Sequence, residues 1–306
     1  MDNEVVSIAL FLFDPPLFSG FSALTKTNSV KKTLPSKKSL PKAWSFRNKI
    51  VILHQKQVNN KKQPKMSNAK NLFMGVGIAA IATLSACSSS NTGNLTQSGL
   101  NPADFDSTVL GKKTELVTLK NANGMEVCLT NYGGRVVSIS VPDKNGKPTD
   151  VVLGYDNIHQ YADTLNSPSD YGSSVGRYAN RIKDAKLKLA GSEYQLKAND
   201  NGNCLHGGGA TGWVNQVYDI TEKNDSSVTF VINAKDGENG FPGNVTATAT
   251  YTVKSDNTLD IVFGATTDKE TVINMTNHSY FNLNGDPSKE GFDQVMYINA
   301  DKFTPS

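Results

Sequence analysis

The chain predicts an all-β fold, a large antiparallel β-sandwich, and three observations carry that prediction. From about residue 111, apolar residues recur at every second position in short runs, the period of half-buried strands. Turn residues separate the runs: Asn123-Gly124, Asp143-Lys144-Asn145-Gly146, Gly191-Ser192 and Ser255-Asp256-Asn257. No long stretch of that region keeps a helical period. Strands joined by tight turns pair antiparallel, and many in succession bury their apolar faces by stacking one sheet on another.

Taken in order, residues 1–65 predict no folded element. They hold a short apolar run, Pro15-Pro16 and scattered lysine pairs, and read as a basic, disordered leader. Translation is expected to start at Met66, because a secretory pattern follows it. Met66 to Asn71 carries one positive charge, Leu72 to Leu84 is apolar but short of the roughly 20 residues that span a bilayer, and Leu84-Ser85-Ala86-Cys87 closes it. Residues 66–86 therefore resemble a bacterial lipoprotein signal peptide, with Cys87 the lipidated residue. The expected address is extracytoplasmic, with the protein anchored to a membrane rather than spanning it. Residues 87–110, rich in Ser, Thr, Asn and Gly, predict a flexible tether.

Residues 111–306 predict the domain. Strands are expected over 114–119, 125–130, 135–141, 151–154, 186–189, 194–197, 214–220, 228–234, 245–253 and 259–264, with one helical turn near 157–163.

The 306-residue length suits one large β domain or two smaller ones. Twelve of the 31 Lys and Arg, but only three of the 28 Asp and Glu, fall in residues 1–65. The remainder, with 19 basic against 25 acidic residues, is acidic and carries no basic patch of the kind that binds nucleic acid. The three cysteines, Cys87, Cys128 and Cys204, form no CxxC pair, which argues against a zinc or redox site. Cys128 and Cys204 read as small packed residues.

The residues able to do chemistry cluster late. In Thr276-Asn277-His278-Ser279-Tyr280-Phe281-Asn282-Leu283-Asn284-Gly285, strand alternation would put Asn274, Thr276, His278, Tyr280 and Asn282 on one face. A ring, an imidazole and several amides in one row suit a cleft for a polyhydroxylated ligand; the plainer alternative is a solvated edge strand. His206 precedes three glycines in Asn203-Cys204-Leu205-His206-Gly207-Gly208-Gly209, which lets the backbone approach a ligand closely. Arg177 and Arg181 lie in Gly176-Arg177-Tyr178-Ala179-Asn180-Arg181-Ile182, where an arginine can serve hydroxyl-rich or anionic ligands or simply be surface charge. His159 is expected to be exposed, and His54 falls in the leader.

Residues 176–182, 203–208, 236–243 and 276–285 occur in the order and approximate spacing of aldose 1-epimerases, also called galactose mutarotases, and residues 131–156 resemble that family's opening strands. The resemblance runs from about Leu116 to the end. It implies interconversion of the α and β anomers of aldohexoses such as galactose and glucose, with no cofactor and no metal. It implies His278 as the acid that protonates the ring oxygen, His206 as a hydrogen-bonding partner at the same oxygen, and Asn180 and Arg181 as sugar-binding residues. Tyr280 or Trp213 is expected to stack on the sugar. The resemblance also implies a glutamate base near the C-terminus and a sugar-binding aspartate before it. Neither has a counterpart here, so the sandwich is expected to be incomplete at the C-terminus and this 306-residue form inactive and poorly folded. A non-catalytic carbohydrate-binding sandwich and an epimerase of phosphorylated sugars are the competing readings.

Overall fold

The computed structural model describes residues 95–292 and 294–295 in full, and the backbone of Ile8–Leu10, Lys42–Ile52 and Met296–Tyr297. The signal at 66–86 and Cys87 lie outside the described residues. Among the described residues no helix is long and apolar enough to cross a membrane.

Two sheets form the core. One runs Asp219–Lys223, Ser227–Ala234, Val245–Val253, Thr258–Thr267, then Lys42–Ile52, Ile8–Leu10 and Met296–Tyr297. The other is a meander of Leu116–Lys120, Glu126–Thr130, Arg135–Pro142 and Pro148–Asp150. The alternation that predicts the strands is the alternation that packs them. Val245, Ala247, Ala249, Tyr251 and Val253 are buried on one face of their strand, and register pairs Val253 with Leu259 and Tyr251 with Ile261. That face meets Val127, Leu129, Val136 and Ile139 of the meander in one apolar cluster. Each fully buried large side chain there contributes roughly 1.5–3 kcal/mol, so Phe230→Ala alone would remove about 3–5 kcal/mol.

Glu126–Thr130 is buried at every position, which a one-faced strand would not be. A second cluster explains it. Cys128 and Val137 point away from the large sheet into Phe105, Ile158 and Tyr161, supplied by the 3-10 turn Pro102–Phe105 and the helix Ile158–Ala162. A register shift at Cys128/Leu129 marks where the strand accommodates both faces.

The structure corrects several boundaries. Order begins before residue 111: Leu100 and Phe105 are buried, and Ser107–Val109 pairs with Lys112–Thr114, so the stretch from Leu95 is not a tether. Polar composition hid two apolar anchors. In the stretch read as a disordered leader, Lys42–Ile52 forms a strand antiparallel to Thr258–Thr267. Its Trp, Phe, Val and Ile content suits a strand, and a long strand edge favours a partner. Residues 151–154 make no extended strand, only a bridge between Val152 and Phe281, and 214–218 precedes the strand at Asp219 as a 3-10 turn and loop.

Candidate active site

Two short ladders outside both large sheets carry the histidines. Arg181–Ile182 pairs with Cys204–Leu205, and His206 follows directly. Thr276–Asn277 pairs with Ser174–Val175, and His278 follows directly. The backbone of His278 is tied on both sides: its N–H donates to Ser173 O at 2.9 Å and its carbonyl accepts from Gly172 N at 3.0 Å. His206 sits at φ +51°, ahead of Gly207 at φ +80°. A Cβ on Gly207 would stand 2.4 Å from Gly176 O, so the glycine is required by a close approach to the chain's own backbone rather than to a ligand.

The ladders bring the two imidazoles together. Their ring centroids are 5.2 Å apart at 80°, and His278 stacks on Tyr280 at 5.0 Å and 30°. Beside them opens a cleft of about 500 Å³, lined by Tyr155, Asp170, Tyr171, Asn199, His206, Asn215 and Tyr280 among others. That volume suits a small ligand. His278 abuts the cleft through His206 and Tyr280. Between the two candidate aromatics the structure decides: Tyr280 is 43% exposed on the cleft, whereas Trp213 is 1% exposed, packed where a Cβ on Gly176 would touch its ring. The polar row predicted along 274–282 is only partly a row. Strand geometry stops at Asn277; Asn274 Nδ2 donates to Ala179 O, and buried Asn282 braces the following turn through Asp286 O and Lys289 O.

Hydrogen bonding fixes the tautomer of His206. The Asn180 backbone N–H donates to His206 Nδ1 at 3.0 Å, so the neutral ring carries its proton on Nε2. That nitrogen lies 3.9 Å from Asp170 Oδ2. Burial pushes the His206 pKa below the usual histidine range; Asp170 pulls it back up, while His278 and Arg181 add to the lowering. Asp170, His206 and His278 offer ligand atoms within 4.8 Å of one another, a spacing a cation could use. Coordination at Nε2 would, however, require the proton on Nδ1, where the Asn180 N–H already points. The arrangement suits a neutral, hydrogen-bonding ligand better.

Asn180 thus acts on His206 through its backbone, and its Oδ1 accepts from Arg181 Nη1 at 3.4 Å. Arg181 is half exposed and paired with Asp200 at 2.6 Å. Arg177 is structural: buried, it donates to Pro242 O and Gly243 O, and burial pulls its pKa down to about 10. Cys204 is buried, and burial raises its thiol pKa, as a packed residue requires. His159 is exposed on its helix.

The sequence missed Asp170 and the residue that positions it. Arg135 is fully buried with no carboxylate partner among the described residues. Its Nη1 donates to Ser169 O at 3.0 Å and Tyr171 O at 3.1 Å, the carbonyls on either side of Asp170. Its Nη2 donates to Val214 O at 2.7 Å, and the Tyr132 and Tyr161 rings flank the guanidinium. A basic residue opening a strand gives no hint of this.

The family model for aldose 1-epimerase matches residues 115–306. The chain belongs to the aldose 1-epimerase family. Among relatives, it is 36% identical over 195 residues to the aldose 1-epimerase of Escherichia coli K12, covering 64% of this chain and 55% of that one. It is 36% identical over 186 residues to the galactose mutarotase of Mus musculus, covering 59% and 51%. The chain therefore spans about half the length of the curated relatives it matches. The fold is likewise shared with solved aldose epimerases. An aldose epimerase homologue from C. elegans superposes with a TM-score of 0.54 at 34% identity, over 56% of this chain and 52% of that one. The galactose 1-epimerase of Lactobacillus acidophilus gives 0.51 at 29%, over 58% and 51%.

Proposed function

We propose that this family member interconverts the α and β anomers of aldohexoses such as galactose and glucose by acid–base opening and reclosure of the pyranose ring. The observation that carries the proposal is the pair of imidazoles, 5.2 Å apart at the rim of a polar cleft beside an exposed tyrosine. Ring opening needs a proton delivered to the ring oxygen as one leaves the anomeric hydroxyl. His278 supplies it. His206, with its proton on Nε2, hydrogen-bonds the sugar beside it, and Tyr280 covers a sugar face. Asn180 and Arg181, whose ladder adjoins His206, bind hydroxyls beside it. The opened aldehyde rotates and closes from its other face.

Polarimetry on freshly dissolved α-galactose tests this. Accelerated mutarotation by a form that carries the family's glutamate base, lost in its His278→Ala variant, is the expected result. Sugar binding without acceleration would instead favour a non-catalytic binder. We further propose attachment to a membrane through lipid on Cys87, supported by the order of charge, apolar run, small residues and cysteine. Metabolic labelling with a fatty acid, lost in Cys87→Ser, tests that.

A further inference from the structure

Asp170 points a carboxylate into the cleft, yet among the described residues that carboxylate makes no hydrogen bond. It is not a stray surface acid. Its own carbonyl accepts from Ser173 N at 3.0 Å and Ser173 Oγ at 2.9 Å, and buried Arg135 clamps the carbonyls before and after it. Burying a guanidinium is costly, and here, although Nε finds no partner, Nη1 holds one loop in one position. The carboxylate so placed stops 3.9 Å from the Nε2–H of His206. That is too long for a direct hydrogen bond. Two groups that share one hydroxyl oxygen fit that separation: with legs of about 2.8 Å each, the angle at that oxygen is about 90°, about 20° tighter than the tetrahedral disposition of its proton and lone pairs.

We propose that Asp170 and His206 together grip one hydroxyl of the pyranose, the hydroxyl accepting from His206 Nε2–H and donating to Asp170 Oδ2, so that Asp170 is a substrate-binding residue that selects for that hydroxyl. This rests on the sugar-binding reading above. The grip uses the fixed tautomer of His206, because only a donor at Nε2 complements an acceptor at Oδ2. It also sets the sugar's rotation against His278. A hydroxyl bonded to a charged group is worth more than one bonded to a neutral group, so its loss is readable.

The test pairs Asp170→Asn, which keeps the shape and removes the charge, with galactose and its monodeoxy analogues, measuring kcat/KM by polarimetry and affinity by NMR titration of the histidine ring protons. With galactose the variant loses about 10- to 100-fold. Wild type loses a comparable factor with one analogue, and on that analogue the variant loses nothing further. An equal loss on every analogue would mean that Asp170 only supports the loop, and no loss on any would mean that it faces solvent; either overturns the proposal. If the protein binds the series with that selectivity but accelerates no mutarotation, the epimerase reading fails and the grip stands. If no hexose binds, both fall.

Discussion

The imidazole of His206 is oriented by the backbone of Asn180, whose N–H donates to Nδ1 at 3.0 Å. The ring thus depends on a main-chain group at φ +63°, a left-handed position that asparagine tolerates better than most residues. Asn180→Val should strain that turn and misplace His206, lowering kcat, whereas Asn180→Gly should keep the turn and most of the ring's geometry. Turnover of the two variants at saturating sugar separates them.

Removing either imbedded imidazole should be felt in chemistry more than in folding. His278→Ala and His206→Ala are each expected to lower kcat by about 100- to 10,000-fold, with melting temperatures near wild type. Similar losses in both rates and their double variant would show that the pair acts as a unit.

The lowered pKa of His206 gives a signed dependence of stability on pH. The unfolded histidine takes up its proton near pH 6.5, before the folded one does. The unfolded state therefore binds more protons just below that pH, and stability rises as pH increases through the window below about 6.5, then levels off for this group. Urea midpoints measured across pH 5 to 8 should show that rise, reduced in His206→Gln.

Arg135→Met should destabilise the domain by roughly 2–4 kcal/mol, because three carbonyls lose charged donors inside the protein. It should also raise KM, since the loop at 169–171 loses its clamp. Urea denaturation alongside kinetics checks both; a stable variant with unchanged KM would remove the clamp from the account.

Gly207→Ala places a methyl 2.4 Å from the Gly176 carbonyl at φ +80°. A cost of about 3 kcal/mol or more is expected, readable as a lower melting temperature with loss of activity.

Much of this was legible from the chain alone. Period-two runs located the long strands because burial on one face is written directly into such strands, as in Val245–Val253. The two histidines were legible because glycine- and asparagine-rich contexts are rare in a packed core. Asp170 was not, since Ser-Pro-Ser-Asp-Tyr-Gly reads like any turn and its importance comes from Arg135, 35 residues earlier and buried. The tether's end was missed because two apolar residues, Leu100 and Phe105, suffice to dock an otherwise polar segment.

The histidine-bearing ladders are each two residues long and belong to neither large sheet. The second of them nonetheless hangs on the large sheet through one phenol, since Tyr251 OH meets Ser174 Oγ at 2.7 Å and accepts from Asn277 Nδ2 at 3.3 Å, so a change as small as Tyr251→Phe in the sandwich interior would reach the residue next to His278.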